Sequence, residues 1–166
     1  MTNTWVISDP HFGHANIIKF CNRPFASVTE MDEALIKNWN SVVEPTERVI
    51  CNGDFMFYKS DTGIFQRLKG YKELVLGNHD HTATRNLGWK AIHTRLEFVH
   101  NSKHVVMDHY PIESWNKKFH GSIHLYGHVH DEIGDSRVAN MARRYNICVE
   151  MLDNYTPRNL DYYTKD

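Results

Sequence analysis

The sequence predicts a four-layer α/β/β/α sandwich, in which two mixed β-sheets pack face to face with helices outside. Three observations lead there. Short apolar runs of strand length alternate with segments of helical period. Those runs stop, one after another, in Gly, Asp, Asn or His. The chain has 166 residues, a length that suits one domain, and no internal repeat, low-complexity stretch or linker divides residues 1–166.

Thr4 to Ser8 is apolar and rich in β-branched and aromatic residues, and reads as a buried strand ending at Asp9-Pro10. Ser27 to Asn40 reads as a helix: Ser27 and Glu30 have capping-box spacing, and Val28, Met31, Leu35, Ile36 and Trp39 form one apolar face. Arg48 to Asn52 reads as a second buried strand, stopped by Gly53-Asp54. Thr62 to Lys69 reads as a short helix closed by Gly70. Glu73 to Leu76 is a third strand, stopped by Gly77-Asn78. Leu96 to Val99 and His104 to Met107 flank a polar turn and predict a hairpin. Ser122 to Tyr126 is a strand stopped by Gly127, and Tyr145 to Met151 a last strand before a polar tail.

Composition narrows the function classes. The apolar fraction of 41% fits a globular chain. With 19 basic and 20 acidic residues, no basic excess supports non-specific nucleic-acid binding. No apolar run approaches the roughly 18–20 residues of a membrane span. The start, Met1 to Trp5, lacks a basic segment followed by an apolar one, so no signal peptide is expected. Cys21, Cys51 and Cys148 are odd in number and widely spaced. They read as reduced thiols of a cytoplasmic protein.

Histidine is the anomaly. Of twelve, nine lie in three places: His11 and His14; His79 and His81; and His109, His120, His124, His128 and His130. Several strand ends carry them, and in layered α/β folds ligands bind beyond the carboxyl ends of strands. Asp9 and His11 follow one such end. Asp54 offers a carboxylate able to bridge two cations. Asn78 offers an amide oxygen, and His109, His128 and His130 offer imidazole nitrogens. Mixed oxygen and nitrogen donors suit Mn²⁺, Fe, Zn²⁺ or Ni²⁺ better than Mg²⁺ or Ca²⁺. The set is large enough for two ions, which at roughly 3.5–4 Å apart can clamp a phosphoryl group.

Asp9-Pro-His11, Gly53-Asp54, Gly77-Asn-His-Asp80, His109 and Gly127-His-Val-His130 occur in the order of the calcineurin-like metallophosphoesterases, which the chain resembles from residue 5 to about 157. Ser8 to His14 is similar to the first motif of their compact microbial and bacteriophage branch. The resemblance implies that Asp9, His11 and His130 bind a first divalent ion, that Asn78, His109 and His128 bind a second, and that Asp54 bridges both; manganese is the preferred ion. It implies that His79 protonates the leaving oxygen or stabilises phosphoryl charge, and that Asp80 orients His79. The implied activity is hydrolysis of a phosphomonoester or phosphodiester, with a nucleotide or cyclic nucleotide among the candidate substrates.

One position departs from the pattern. Many members carry Asp or Asn three residues after the Asp of Gly-Asp, where this chain has Phe57. Phe55, Phe57 and Tyr58 would offer an aromatic wall instead. His14 reads as a cap for a helix beginning near Ala15, with a site contact as the alternative. Arg23 reads as a surface residue, with a phosphate grip as the alternative. Arg137, Arg143 and Arg144 read as a solvated face. His81 reads as a turn residue, and Tyr110 and Trp115 as pocket lining or core. A non-catalytic interaction scaffold on the same fold is the competing class; the filled ligand positions and His79 argue against it. A zinc hydrolase of another fold lacks its motifs here. The sequence leaves substrate and oligomeric state open.

Overall fold

The computed structural model describes residues 2–130 and 143–165. Among these, nine strands occur: β1 (Thr4–Ile7), β2 (Arg48–Cys51), β3 (Tyr71–Val75), β4 (Ala91–His93), β5 (Leu96–His100), β6 (Lys103–Met107), β7 (Ile123–Tyr126), β8 (Arg144–Asn146) and β9 (Arg158–Asn159). They form two mixed sheets. The first runs β4-β3-β2-β1-β9, parallel except for β9. The second runs β5-β6-β7-β8, with β5 antiparallel and the rest parallel.

Side chains alternate across a strand, and the first sheet uses both faces. Ile7, Val49, Cys51 and Leu74 pack toward the helix side with Met31, Leu35 and Trp39. Those three belong to α2 (Val28–Val42), which follows α1 (Ala15–Phe20). Val6, Ile50 and Val75 point the other way and meet Val105, Met107, Ile123 and Leu125 of the second sheet. Burial on both faces is why these strands read as apolar runs. On the outer face of the second sheet, Trp115 from the β6–β7 connection packs against His124, their rings 5.3 Å apart.

Local expectations meet three corrections. Ser27 caps α2 by accepting the Glu30 amide at 3.1 Å, but Glu30 reaches back to the amide of Ala26 rather than that of Ser27. The hairpin turns tightly at Asn101 and Ser102, with φ of 47° and 62°, the geometry that suits twisted antiparallel strands. The strand expected over 145–151 is β8 only to Asn146, and it is not the last strand. Its continuation leaves the second sheet and bridges to Ser8, with Ser8 N donating to Ile147 O at 2.9 Å and Val149 N to Ser8 O at 3.0 Å. It then tightens into a 3₁₀ turn over Val149–Met151. β4 and β9, of three and two residues, carry too short a pattern to be read from sequence. Of the expected solvated arginines, Arg137 lies outside the described residues, Arg143 is exposed, and Arg144 is buried with its guanidinium 5.3 Å from the Tyr126 ring. No helix among the described residues is long and apolar enough to cross a membrane.

Candidate metal centre

The loops after β1, β2, β3, β6 and β7 meet at one edge. Asp9 N donates to Gly53 O at 3.0 Å, His11 N to Asp54 O at 3.1 Å, and Gly127 N to His109 O at 2.9 Å. The approach needs glycine. A Cβ on Gly77 would fall on the Asp54 carboxylate, and one on Gly127 would fall on Ser8 Oγ and Asp9 Oδ2. Backbone strain gathers here too. Asp9, His11, Asp54, His128 and His130 all have left-handed backbone, with φ between 50° and 71°. Such conformations cost of order 1–3 kcal/mol each and persist where the surroundings impose them.

Seven side chains converge. Asp9, His11 and His130 form one group whose donor atoms lie within 4.8 Å of one another, and Asp54, His109 and His128 form a second. In the first group, His11 Nε2 is 3.6 Å and His130 Nε2 3.8 Å from Asp9 Oδ1. In the second, Asn78 Oδ1 lies 3.1 Å from His109 Nε2 and 3.0 Å from His128 Nδ1. Asp54 Oδ2 stands between them, 3.7 Å from His11 Nε2 and 3.5 Å from His109 Nε2.

The donor chemistry fits two cations. Asp9 Oδ1 and His11 Nε2 are buried and have no hydrogen-bond partner. Leaving such atoms unsatisfied costs about 1–3 kcal/mol each, and a cation between them removes the cost. The other atoms of these side chains are committed elsewhere. Asp9 Oδ2 accepts from Ser8 Oγ at 2.5 Å, His128 N at 3.0 Å and Cys148 Sγ at 3.2 Å. Asp54 Oδ1 accepts from His79 N at 2.8 Å. His109 Nδ1 donates to Asn52 O at 2.8 Å, which leaves its Nε2 facing Asp54 and Asn78. Second partners of this kind fix which nitrogen a histidine presents to a metal.

Charge is concentrated accordingly. Burial alone would raise the Asp9 carboxyl, but His11, His109 and His130 hold it well below the usual carboxylate range. Burial opposes charge on His109 as well, yet Asp54 and Asp9 carry it up to about 9. His130, also opposed by burial, is carried to about 10 by Cys21, Glu150 and Asp9.

The chain shares a family with an archaeal protein that it matches along nearly its whole length. No family model matches it. It is 35% identical over 171 residues to the uncharacterized protein MJ1445 of Methanocaldococcus jannaschii, covering 99% of this chain and 91% of that one. It is 36% identical over 85 residues to the Gene 66 protein of Mycobacterium phage L5, covering 48% of this chain and 41% of that one. The crystal structure of AQ665 from Aquifex aeolicus, a protein of unknown function, shares the fold, with a TM-score of 0.80 at 23% identity over 99% of both chains.

Within this centre several side chains depart from what their sequence positions implied. Asp80 does not orient the His79 ring. Its Oδ2 accepts from the amides of Asp54 and Gly77 at 2.9 and 2.8 Å, and its Oδ1 from Phe55 N at 2.9 Å. It holds two loops together. His79 is exposed and packs instead on Phe57, with ring centroids 4.9 Å apart. His14 precedes α1 but makes no side-chain cap. Its ring stacks on Phe57 at 3.7 Å, and its Nδ1 lies 3.2 Å from His11 Nδ1. Burial, with the charged side chains around it, lowers His14 to about 4. Phe55 is core; Phe57 lines the metal cavity, and Tyr58 donates to Asp32 at 2.7 Å. Trp115 is buried away from the site, whereas Tyr110 lies 4.6 Å from the His128 ring.

Arg23 is not on the surface. It is 3% exposed and donates to the carbonyls of Asp9 and Pro10, both at 2.8 Å, and to Glu150 at 2.6 Å. Glu150 Oε1 is also 3.0 Å from His130 Nδ1. Glu150 thus holds the His130 ring by its Nδ1 while Arg23 clamps the left-handed loop at Asp9. Sequence reading missed Glu150, Asn52, Ser8 and Cys148. Only the bridge from the end of β8 to Ser8 brings residues 148 and 150 here, and no local spacing signals it.

Proposed function

We propose that this chain is a dinuclear metal-dependent phosphoesterase. Asp9, His11 and His130 would hold one divalent ion, Asn78, His109 and His128 the other, and Asp54 Oδ2 would be shared. The observation that carries this reading is that single oxygen, within 3.5–3.7 Å of an imidazole nitrogen in each group. Mixed oxygen and nitrogen donors favour manganese, iron, zinc or nickel. When bound, two such ions supply an acidified water and neutralise phosphoryl charge.

The remaining chemistry belongs to the chain. His79 stands on the wall of the roughly 580 Å³ cavity that also presents His11, Asp54, His128 and His130. It is bound by its backbone to the bridging carboxylate and leaves its ring to the substrate. As general acid it donates a proton to the departing ester oxygen. His14 is the other non-ligand histidine on that wall, and it is occupied with His11. A near-neutral net charge favours a small phosphorylated substrate, such as a nucleotide, over a long nucleic acid. Three free cysteines favour a reducing, cytoplasmic setting.

The test pairs two variants on aryl and alkyl phosphodiesters with Mn²⁺. General acid catalysis is worth about 10²–10⁴-fold, so His79→Ala should lose that factor on the alkyl ester, less on the aryl ester, and keep its metal. Asp54→Ala should lose both metal and activity. A His79→Ala protein stripped of metal and equally slow on both esters would make His79 a ligand. Wild-type protein inactive on every ester while holding two ions would favour the scaffold alternative.

A further inference from the structure

The metal cavity has a neighbour. A second cavity of about 450 Å³ is lined by Met56, Phe57, Tyr58, Lys59, His79 and Ala83 among others. Phe57 and His79 line both. They form the wall between the two, packed ring against ring at 4.9 Å. Nothing in the ligand chemistry requires this second space. Its lining is mostly apolar and aromatic, with one cation, Lys59, which is exposed. That size and character match a small-molecule subsite.

Its position relative to the reaction defines its occupant. In phosphoryl displacement the leaving oxygen departs in line, opposite the attacking water. The group that protonates it must stand on the leaving side within hydrogen-bond reach. On the reading above that group is His79. A leaving oxygen held at His79 puts the rest of its alcohol beside Phe57 and into the second cavity.

We propose that this cavity is the leaving-group subsite, shaped for a flat, largely apolar alcohol of aryl or nucleoside size. The inference rests on the proposed phosphoesterase reading. Water adds to phosphorus as the bond from phosphorus to the leaving oxygen breaks. The alcohol leaves with the His79 proton, and the attacking water's proton restores the imidazolium. Phe57 offers a ring face to the departing group, and Lys59 attracts a polar or anionic edge.

The test is Thr82→Trp. Thr82 is exposed, begins the short helix Thr82–Arg85 and lines only the second cavity. An indole there fills the space without entering the metal cavity. Two diesters are compared that share one retained arm, one with a naphthyl and one with a methyl leaving group. Each variant rate is divided by the wild-type rate on the same ester, which cancels intrinsic reactivity. Misfit in an apolar pocket is worth about 10-fold or more, so the naphthyl-to-methyl ratio of kcat/KM should fall by that factor. An unchanged ratio overturns the subsite. A check free of any variant uses wild-type protein: free naphthol should inhibit naphthyl ester hydrolysis competitively, and absence of inhibition also overturns it. Wild-type protein that holds two ions yet cleaves neither ester defeats the phosphoesterase reading itself, a result distinct from cleavage without leaving-group preference.

Discussion

Glu150→Gln isolates a residue that touches no substrate. Glu150 Oε1 receives His130 Nδ1 at 3.0 Å and Arg23 at 2.6 and 2.9 Å. It thereby obliges His130 to turn its Nε2 toward Asp9, 3.8 Å from Oδ1. Glutamine keeps the shape and one acceptor oxygen but removes the charge that holds the imidazole. Loss of such an outer partner typically lowers metal affinity about 10–100-fold, or about 1.4–2.8 kcal/mol. A stability cost accompanies it, because Arg23 and Glu150 side chains are 0% and 4% exposed. Breaking a buried pair outright costs about 3–5 kcal/mol, and the retained acceptor should keep the loss below that. Calorimetric titration of metal-stripped protein with Mn²⁺, beside urea unfolding of the same sample, separates the two effects. The Asp9 site should weaken about 10–100-fold relative to the Asn78 site. A folded Glu150→Gln protein that binds two ions with wild-type affinity would refute the orienting role.

Gly77→Ala should fold yet be purified with little metal, since its Cβ would displace the Asp54 carboxylate; a fully loaded variant by elemental analysis would contradict the packing argument. His124 supplies an acid-sensitive element remote from that chemistry. Burial lowers it to about 4, and its neutral ring donates to Val106 O at 3.1 Å and accepts Ile112 N at 3.2 Å. The unfolded chain binds a proton near pH 6.5 that the folded chain refuses until about pH 4, so this stability is complete above 6.5 and is lost as pH falls between them. It amounts to roughly 3 kcal/mol. Urea unfolding of chelated wild-type and His124→Gln protein should show the wild type losing that much more between pH 6.5 and 4, and parallel curves would exclude His124 as the cause.

Much of the centre was legible in the order of residues. Strand, then glycine or acid, then donor is a local pattern, because a strand that ends must turn and a turn at a sheet edge exposes the next side chains. That is why Asp9, His11, Asp54, Asn78, His109, His128 and His130 can be picked out without coordinates. Ser27 as a cap and the 101–102 hairpin are legible for the same reason, since backbone groups three or four residues apart decide them.

Roles that depend on the residues lying opposite were not legible. Asp80 neighbours His79 in the chain, but the nearest unpaired amides are those of Asp54, Phe55 and Gly77, and its carboxylate goes to them. Arg23 looked like a loop arginine until Glu150, 127 residues away, was packed against it. Five candidate ligands in left-handed backbone, two cavities meeting at Phe57 and His79, and a His130 ring held by Glu150 are likewise properties of closure. Spacing along the chain determines which donors reach the sheet edge. The packing of five loops on one another decides which atom each presents, because hydrogen bonds and burial act between neighbours in space whatever their separation in sequence.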